Sequence, residues 1–123
     1  HSLGCVTWMH VALRKSFAEL PSRVLLVAPP ERAPISPVPS FLVAEEDAVL
    51  GDALRATSKN VLIVGSDADP WQPLVIQAGV AEKVGMTAVV IPGAKHFSTL
   101  DGFSQWQGVI DWVNDSSADI TKL

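Results

Sequence analysis

The sequence predicts an α/β fold in which helices cover both faces of a parallel sheet. Three short, continuously apolar runs, at residues 24–27, 61–64 and 87–91, are typical of strands buried on both faces. Amphipathic segments alternate with these runs, and such alternation predicts parallel strands joined by right-handed crossovers. In a sheet of this kind we expect the chemistry at the carboxyl ends of the strands.

Helices are predicted where apolar residues recur at intervals of three and four. The predicted helices cover residues 3–20, 45–55, 74–84 and 104–113. Pro21 closes the first of them, and Gly51 weakens the second. We expect residues 1–115 to belong to one domain and residues 116–123 to form a frayed polar tail.

A proline-rich stretch follows the first predicted strand. Five prolines fall between Pro29 and Pro39, too many for a helix or a central strand. We expect a stiff surface segment there, either a plain connector or a border of an active-site cleft.

Composition excludes several classes of function. The 123 residues are 48% apolar and carry a net charge of −4 with acids and bases interspersed, which predicts a folded domain without a surface for nucleic acid or anionic membranes. No apolar run reaches the length of about 18 residues that a membrane span needs. The single cysteine, Cys5, cannot form an internal disulfide and fits a reducing, cytoplasmic compartment. Neither a glycine-rich phosphate loop nor a cysteine and histidine cluster with zinc spacing is present, so no cofactor or metal is implied.

The first five residues, His-Ser-Leu-Gly-Cys, match the later part of the G-x-S-x-G motif. In that motif a serine, here Ser2, occupies a tight turn between a strand and a helix. The small Gly4 lets the helix pass close behind the turn. The strand and first glycine that the motif requires would precede His1. We therefore expect the sheet to lack its amino-terminal strands and to be completed by an upstream segment.

Two further residues fit a serine nucleophile by their order and position. Asp69 lies in the loop after the second predicted strand, and His96 lies in the loop after the third. An imidazole can take the proton of an attacking serine, and a carboxylate can orient the imidazole. Each residue also has a simpler interpretation, because Asp69 before Pro70 could only shape a turn and His96 could be an exposed loop residue.

These segments resemble the small α/β-hydrolase family typified by retinoblastoma-binding protein 9 and its bacterial relatives, which are serine hydrolases. The segments that carry the resemblance are residues 1–5, 27–30, 65–73, 93–97 and 101–106. The resemblance implies an α/β-hydrolase fold and cleavage of a small ester, or less readily an amide, through an acyl-enzyme. Two alternatives stay open: a protein-binding module that keeps the fold without turnover, and an inactive fragment of an active hydrolase.

The family pattern assigns roles to residues of this chain. Ser2 matches the nucleophile and His96 the base, and Asp69 matches the acid because residues 69–73 have the form D-P-x-x-P. Asp67 is the second candidate for the acid. The backbone N–H of Leu3 is expected to donate to the oxyanion, since that role belongs to the residue after the nucleophile. The second donor has no candidate in this sequence.

Two side chains near these residues have open interpretations. Lys95 stands where hydrolases of this type usually have glycine, and its side chain either points to solvent or leans over the site, where its charge would disfavour protonation of His96. Trp71 either lines a substrate pocket or packs beside the proline turn.

The expected lack of upstream strands has a physical consequence. Without them one edge of the sheet would present unpaired backbone groups, and such an edge invites pairing with another chain. We therefore expect the 123 residues alone to self-associate through this open edge and to hydrolyse esters weakly.

Overall fold

Three parallel strands, β1 (Val24–Val27), β2 (Val61–Gly65) and β3 (Ala88–Val90), form a sheet in that order. The computed structural model of the chain describes residues 1–30, 43 and 45–123, with residues 74–76 described by their backbone alone. Leu25 pairs with Leu62, and Val64 pairs with Val89, so the carboxyl ends of all three strands meet at one edge. The proline-rich stretch predicted after β1 lies mostly outside the described residues.

Helices precede, connect and follow the strands, as the alternation of the sequence predicts. Among the described residues they are α1 (Leu3–Arg14), α2 (Asp47–Thr57), α3 (Leu74–Lys83), α4 (Gln107–Asn114) and a 3₁₀ turn (Thr99–Asp101). The prediction of an α/β fold with parallel strands is confirmed. None of the helices in the described part of the chain has the length and apolar character needed to cross a lipid bilayer.

The two faces of the sheet bury different apolar clusters. Ile63 of β2 belongs to one cluster with Met9 of α1 and Leu50 of α2. The neighbouring Val64 belongs to the other, with Trp112 of α4. Successive side chains of a strand point to opposite faces, so helices cover both sides of the sheet.

The inner strand, β2, is buried on both faces as predicted, whereas β3 is partly exposed. Ile63 and Val64 of β2 are 1% and 0% exposed, whereas Val90 of β3 is 36% exposed. Within the described residues β3 is the last strand of the sheet, and it has a strand neighbour on one side only. The apolar sequence of residues 87–91 therefore predicted the strand correctly and its burial incorrectly.

Helix α1 ends six residues earlier than the sequence predicts. Lys15 adopts the left-handed conformation, with φ of 51°. The N–H of Lys15 donates to the carbonyl of Ala12, and the N–H of Ser16 donates to the carbonyl of Val11. This is the hydrogen-bond pattern of a Schellman cap, which glycine usually forms. No glycine marked the end of the helix, so the sequence pattern gave no stop before Pro21.

The carboxyl-terminal segment packs against α4 instead of fraying. Ile120 is 4% exposed, and its carbonyl accepts a hydrogen bond from the indole N–H of Trp106 at 2.8 Å. The N–H of Gly108 donates to the carbonyl of Lys122 at 2.7 Å. The expectation of a frayed tail is wrong at these positions because one apolar residue in a polar segment, Ile120, anchors it.

The outer edge of β1 lies beside the start of the chain. The N–H of Ser2 donates to the carbonyl of Val27 at 2.9 Å, on the side of β1 that faces away from β2. A cavity of about 260 Å³ adjoins this edge, between β1 and α1, and its lining includes Gly4, Trp8 and Leu25. No second strand pairs with this edge among the described residues. Self-association through it stays a prediction.

We expect the packing of the tail, residues 116–123, against α4 to require a residue without a side chain at position 108, which is Gly108. A Cβ at Gly108 would lie 2.4 Å from the backbone oxygen of Ile120, so Gly108→Ala must displace the tail. The free energy of unfolding should fall by about 1–3 kcal/mol, as in other overpacked sites. Urea denaturation measures the change.

Gly79→Ala is the matched control, because nothing lies within 4 Å of a Cβ added there. Alanine favours the helical conformation over glycine by up to about 1 kcal/mol, so this variant should be slightly stabilised. Equal effects of the two substitutions would show that the tail does not contribute to stability.

Candidate active site

Ser2 occupies a strained turn directly before α1. Its φ and ψ are 51° and −126°, a backbone conformation that residues other than glycine rarely adopt. The Ser2 N–H is held by the carbonyl of Val27, the last residue of β1. Leu3 begins α1, and the first N–H groups of a helix have no acceptor within it. The turn therefore places a serine hydroxyl beside the positive end of a helix.

Two hydrogen bonds join Ser2, His96 and Asp69 into one chain. The His96 Nε2 atom lies 3.1 Å from Ser2 Oγ, and His96 Nδ1 lies 2.8 Å from Asp69 Oδ2. An ionised carboxylate only accepts hydrogen bonds, so Nδ1 carries the hydrogen and Nε2 can accept from the serine hydroxyl. The His96 side chain is 19% exposed and that of Asp69 is fully buried.

The loop after β2 folds around the carboxylate of Asp69. Asp69 Oδ1 accepts the backbone N–H groups of Trp71 at 2.8 Å and Gln72 at 3.0 Å. An aspartate that bonds the backbone two and three residues onward shapes a turn. One carboxylate oxygen therefore forms the turn and the other contacts His96, and the role of Asp69 as the catalytic acid stays a prediction.

Asp67 makes a different contact. It is exposed, and its Oδ1 accepts the backbone N–H of Gly93 at 2.7 Å. This bond ties the loop after β2 to the loop that carries His96. Among the described contacts, Asp67 has none with the His96 ring, which is bonded by Asp69.

The backbone is strained on both sides of His96. Lys95 has a φ of 50° and Phe97 a φ of 57°, in the region that favours glycine. The Lys95 side chain is 61% exposed, and its ammonium lies 3.9 Å from Asp101 Oδ1. Of the two interpretations of Lys95, the structure agrees with the side chain that points to solvent.

A hydrogen-bonded turn and an aromatic cluster hold the segment after His96. Asp101 Oδ2 accepts the Ser98 hydroxyl at 2.7 Å and the Ser98 N–H at 3.1 Å. These bonds from Ser98, with the charge of Lys95, lower the pKa of Asp101 from its ordinary value. The ring of Phe97 contacts those of Phe103 and Trp106, with centroids 5.0 and 5.3 Å away.

The comparison with protein families assigns the chain. A family model described as Serine hydrolase matches residues 1–115. The chain belongs to the serine hydrolase family.

One solved structure extends the assignment to the fold. It is the crystal structure of the ydeN gene product from B. subtilis, which this chain matches with a TM-score of 0.73 at 18% sequence identity. The match covers 93% of this chain and 61% of the other chain, so this chain spans about three-fifths of that protein. A search of curated proteins found no match. The predicted α/β-hydrolase fold is confirmed.

Other residues of the site were missed by the sequence analysis. The His1 ring lies against that of His96, with centroids 4.9 Å apart, and its Nε2 donates to the His96 carbonyl at 2.7 Å. Gln77 of α3 contacts Asp69 Oδ2 at 3.3 Å. A polar residue within the apolar start of α3 was the available signal for Gln77. Asp101 forms a Ser-x-x-Asp capping box with Ser98, a spacing that is visible in the sequence, whereas the bond from His1 to the His96 carbonyl is one that residue patterns do not describe.

The pocket role of Trp71 and Lys95 stays a prediction. The side chain of Trp71 is 78% exposed, so it contributes little to packing. Among the described residues no group of three histidine, cysteine, aspartate or glutamate side chains has the arrangement of a metal site.

We expect Asp69→Asn to lower the turnover of this serine hydrolase by about 10⁴-fold. The amide of asparagine can donate to His96 Nδ1 and so favour the tautomer whose Nε2 carries the hydrogen. Asp67→Asn is the matched control and should cost far less, because its contact is to the backbone of Gly93. Steady-state ester hydrolysis measures both, and the reverse ranking would move the acid to Asp67.

We expect Ser98→Ala to make stability less dependent on acid pH. The folded-state pKa of Asp101 is depressed mainly by the Ser98 hydroxyl, so its contribution is present above the ordinary aspartate pKa and is lost as pH falls through the folded value. The variant should be less stable than the wild type at pH 7, and the difference should shrink below about pH 4. Urea denaturation at pH 7 and pH 3 measures it, with exposed Ser104→Ala as control. A difference that grew in acid would contradict the assignment.

Proposed function

We propose that this serine hydrolase cleaves a small ester, and less readily an amide, through an acyl-enzyme. The observation that carries the proposal is the continuous chain of hydrogen bonds from Ser2 Oγ through His96 to Asp69, at 3.1 and 2.8 Å. A serine hydroxyl needs an adjacent base to attack a carbonyl, and this chain supplies one.

In the first step the Ser2 oxygen bonds to the carbonyl carbon while its proton moves to His96 Nε2. The carbonyl oxygen becomes an oxyanion, and the Leu3 N–H at the start of α1 is the proposed donor to it. The positive φ of Ser2, at 51°, holds the hydroxyl at the turn where both the base and this donor are near. When the tetrahedral intermediate forms, His96 has accepted the proton of Ser2, and the Leu3 N–H donates a hydrogen bond to the oxyanion.

In the second step the intermediate collapses and the bond to the leaving group breaks. His96 returns the proton to the leaving oxygen or nitrogen, which departs as an alcohol or amine. Water then attacks the acyl-enzyme with His96 as base, and the acid leaves while Ser2 regains its proton. The cycle is balanced without an added electron donor or acceptor.

Asp69 acts on His96 and not on the substrate. Its carboxylate fixes the Nδ1 hydrogen and stabilises the imidazolium that forms in each step. The buried position of this carboxylate, with a fully covered side chain, strengthens the interaction because no water competes. The chemistry requires no metal or organic cofactor.

We also propose a cytoplasmic location. The single cysteine, Cys5, is a buried free thiol in the structure. Burial raises the pKa of the Cys5 thiol, which keeps it protonated and unreactive. A protein without disulfides fits a reducing compartment.

The test of the proposed function is labelling by a fluorophosphonate probe, which reacts with activated serines. The wild-type chain should be labelled, and Ser2→Ala should abolish labelling and lower ester hydrolysis by about 10⁴-fold or more while the circular dichroism spectrum is unchanged. Ser104→Ala, at an exposed serine, should behave like the wild type. A folded wild-type chain that is not labelled would favour one of the two alternatives, a non-catalytic binding module or an inactive fragment of an active hydrolase.

A further inference from the structure

Gln77 is a completely buried amide in the middle of the apolar side of α3. Its exposed fraction is 0%, and it lies in the first half of the helix. A buried side-chain amide is costly unless its hydrogen-bonding groups are paired. The partners of Gln77 therefore show what the residue does in this fold.

Among the described residues, the hydrogen-bond partners of the Gln77 side chain all belong to the loop that carries Asp69. The Gln77 Oε1 atom accepts the N–H of Ser66 at 3.1 Å, and Nε2 donates to the carbonyl of Gln72. A weaker contact joins Nε2 to the Ser66 carbonyl at 3.4 Å. Ser66 directly follows β2, and Gln72 lies close to the start of α3. One side chain thus spans the loop from its first residue to its last turn.

The same amide contacts the carboxylate that orients His96. Gln77 Nε2 lies 3.3 Å from Asp69 Oδ2, the oxygen that accepts the His96 Nδ1 hydrogen at 2.8 Å. The other oxygen, Oδ1, accepts two backbone N–H groups. Among the described residues, Gln77 and His96 supply the side-chain donors to Asp69, and Gln77 is the one that does not titrate.

The end of β2 is shaped to admit this amide. A Cβ at Gly65 would lie 2.5 Å from Gln77 Oε1 and 3.2 Å from Gln77 Cβ. The last residue of β2 therefore lacks a side chain where the amide passes. The position of Gln77 depends on the strand end as well as on its own hydrogen bonds.

We propose that Gln77 is a positioning residue that holds the Asp69 carboxylate in the orientation His96 requires. The inference rests on the proposed function, in which Asp69 fixes the tautomer of His96. The neutral amide supplies a hydrogen to Asp69 Oδ2 without adding a charge that would compete with the imidazolium. A carboxyl group in the same place would repel Asp69 once ionised.

The test uses Gln77→Glu and Gln77→Met in the full chain, assayed for ester hydrolysis from pH 5 to pH 9. Gln77→Met keeps the side-chain size and removes the donor, and kcat should fall about 10- to 100-fold with little change in KM. In Gln77→Glu the two carboxyls share a site, which raises one pKa, so at low pH the protonated group can still donate to Asp69. The kcat of this variant relative to the wild type should therefore fall as pH rises.

Several groups bear on that pH profile. Asp69 contacts the new carboxyl directly, and His96 contacts Asp69. Glu82 and Lys83 of α3 are exposed. Gln105→Glu and Gln105→Met, at an exposed residue, are the controls and should leave kcat and its pH profile unchanged.

The outcomes separate this inference from the proposed function. A wild-type chain that is not labelled by the fluorophosphonate probe would overturn the proposed function. Wild-type labelling, with folded Gln77 variants whose kcat matches the wild type at every pH, would overturn the positioning role alone. If both Gln77 variants fail to fold at pH 5 and pH 8 by circular dichroism, the residue is purely structural, and the positioning role is overturned as well.

Discussion

A buried carboxylate, that of Asp69, is the group on which the site depends. An ionised carboxylate removed from water must have its acceptor sites filled, and here four donors fill them: two backbone N–H groups of its own loop, Gln77 and His96. The donors come from three parts of the architecture, so the carboxylate fixes the loop after β2, the start of α3 and the loop after β3 relative to one another. Removing the charge would loosen all three.

The parallel register of the sheet delivers these loops to the same place. Because β1, β2 and β3 end at one edge, the loop after β2 and the loop after β3 lie side by side, and Asp67 ties them through the N–H of Gly93. The turn of Ser2 joins the same edge through the carbonyl of Val27. Asp69 precedes His96 in the chain because β2 precedes β3, whereas Ser2 reaches the same edge from the turn before α1.

Sequence patterns predicted the elements that depend on periodicity. They failed for the features that individual contacts determine. Apolar runs located the strands, and the positions of Asp69 and His96 after two of them predicted that they would meet. The end of α1 at Arg14 was missed because lysine, and not the usual glycine, forms the left-handed cap at Lys15. The docking of Ile120 was missed because a single apolar residue forms no pattern. Gln77 and His1 act through contacts that spacing does not encode, although a polar residue in an apolar helix start was a signal for Gln77, and the Ser-x-x-Asp spacing of Ser98 and Asp101 was one for Asp101.

The strained backbone of the site is held in place by the contacts that pack around it. Ser2, Lys95 and Phe97 each hold a positive φ without being glycine, at a cost of about 1–3 kcal/mol per residue. Such conformations persist only where neighbouring contacts determine them. Phe97 is 7% exposed within an aromatic cluster, and Asp101 binds Ser98 and the ammonium of Lys95. His96 is therefore held from both sides by contacts that offset the strain.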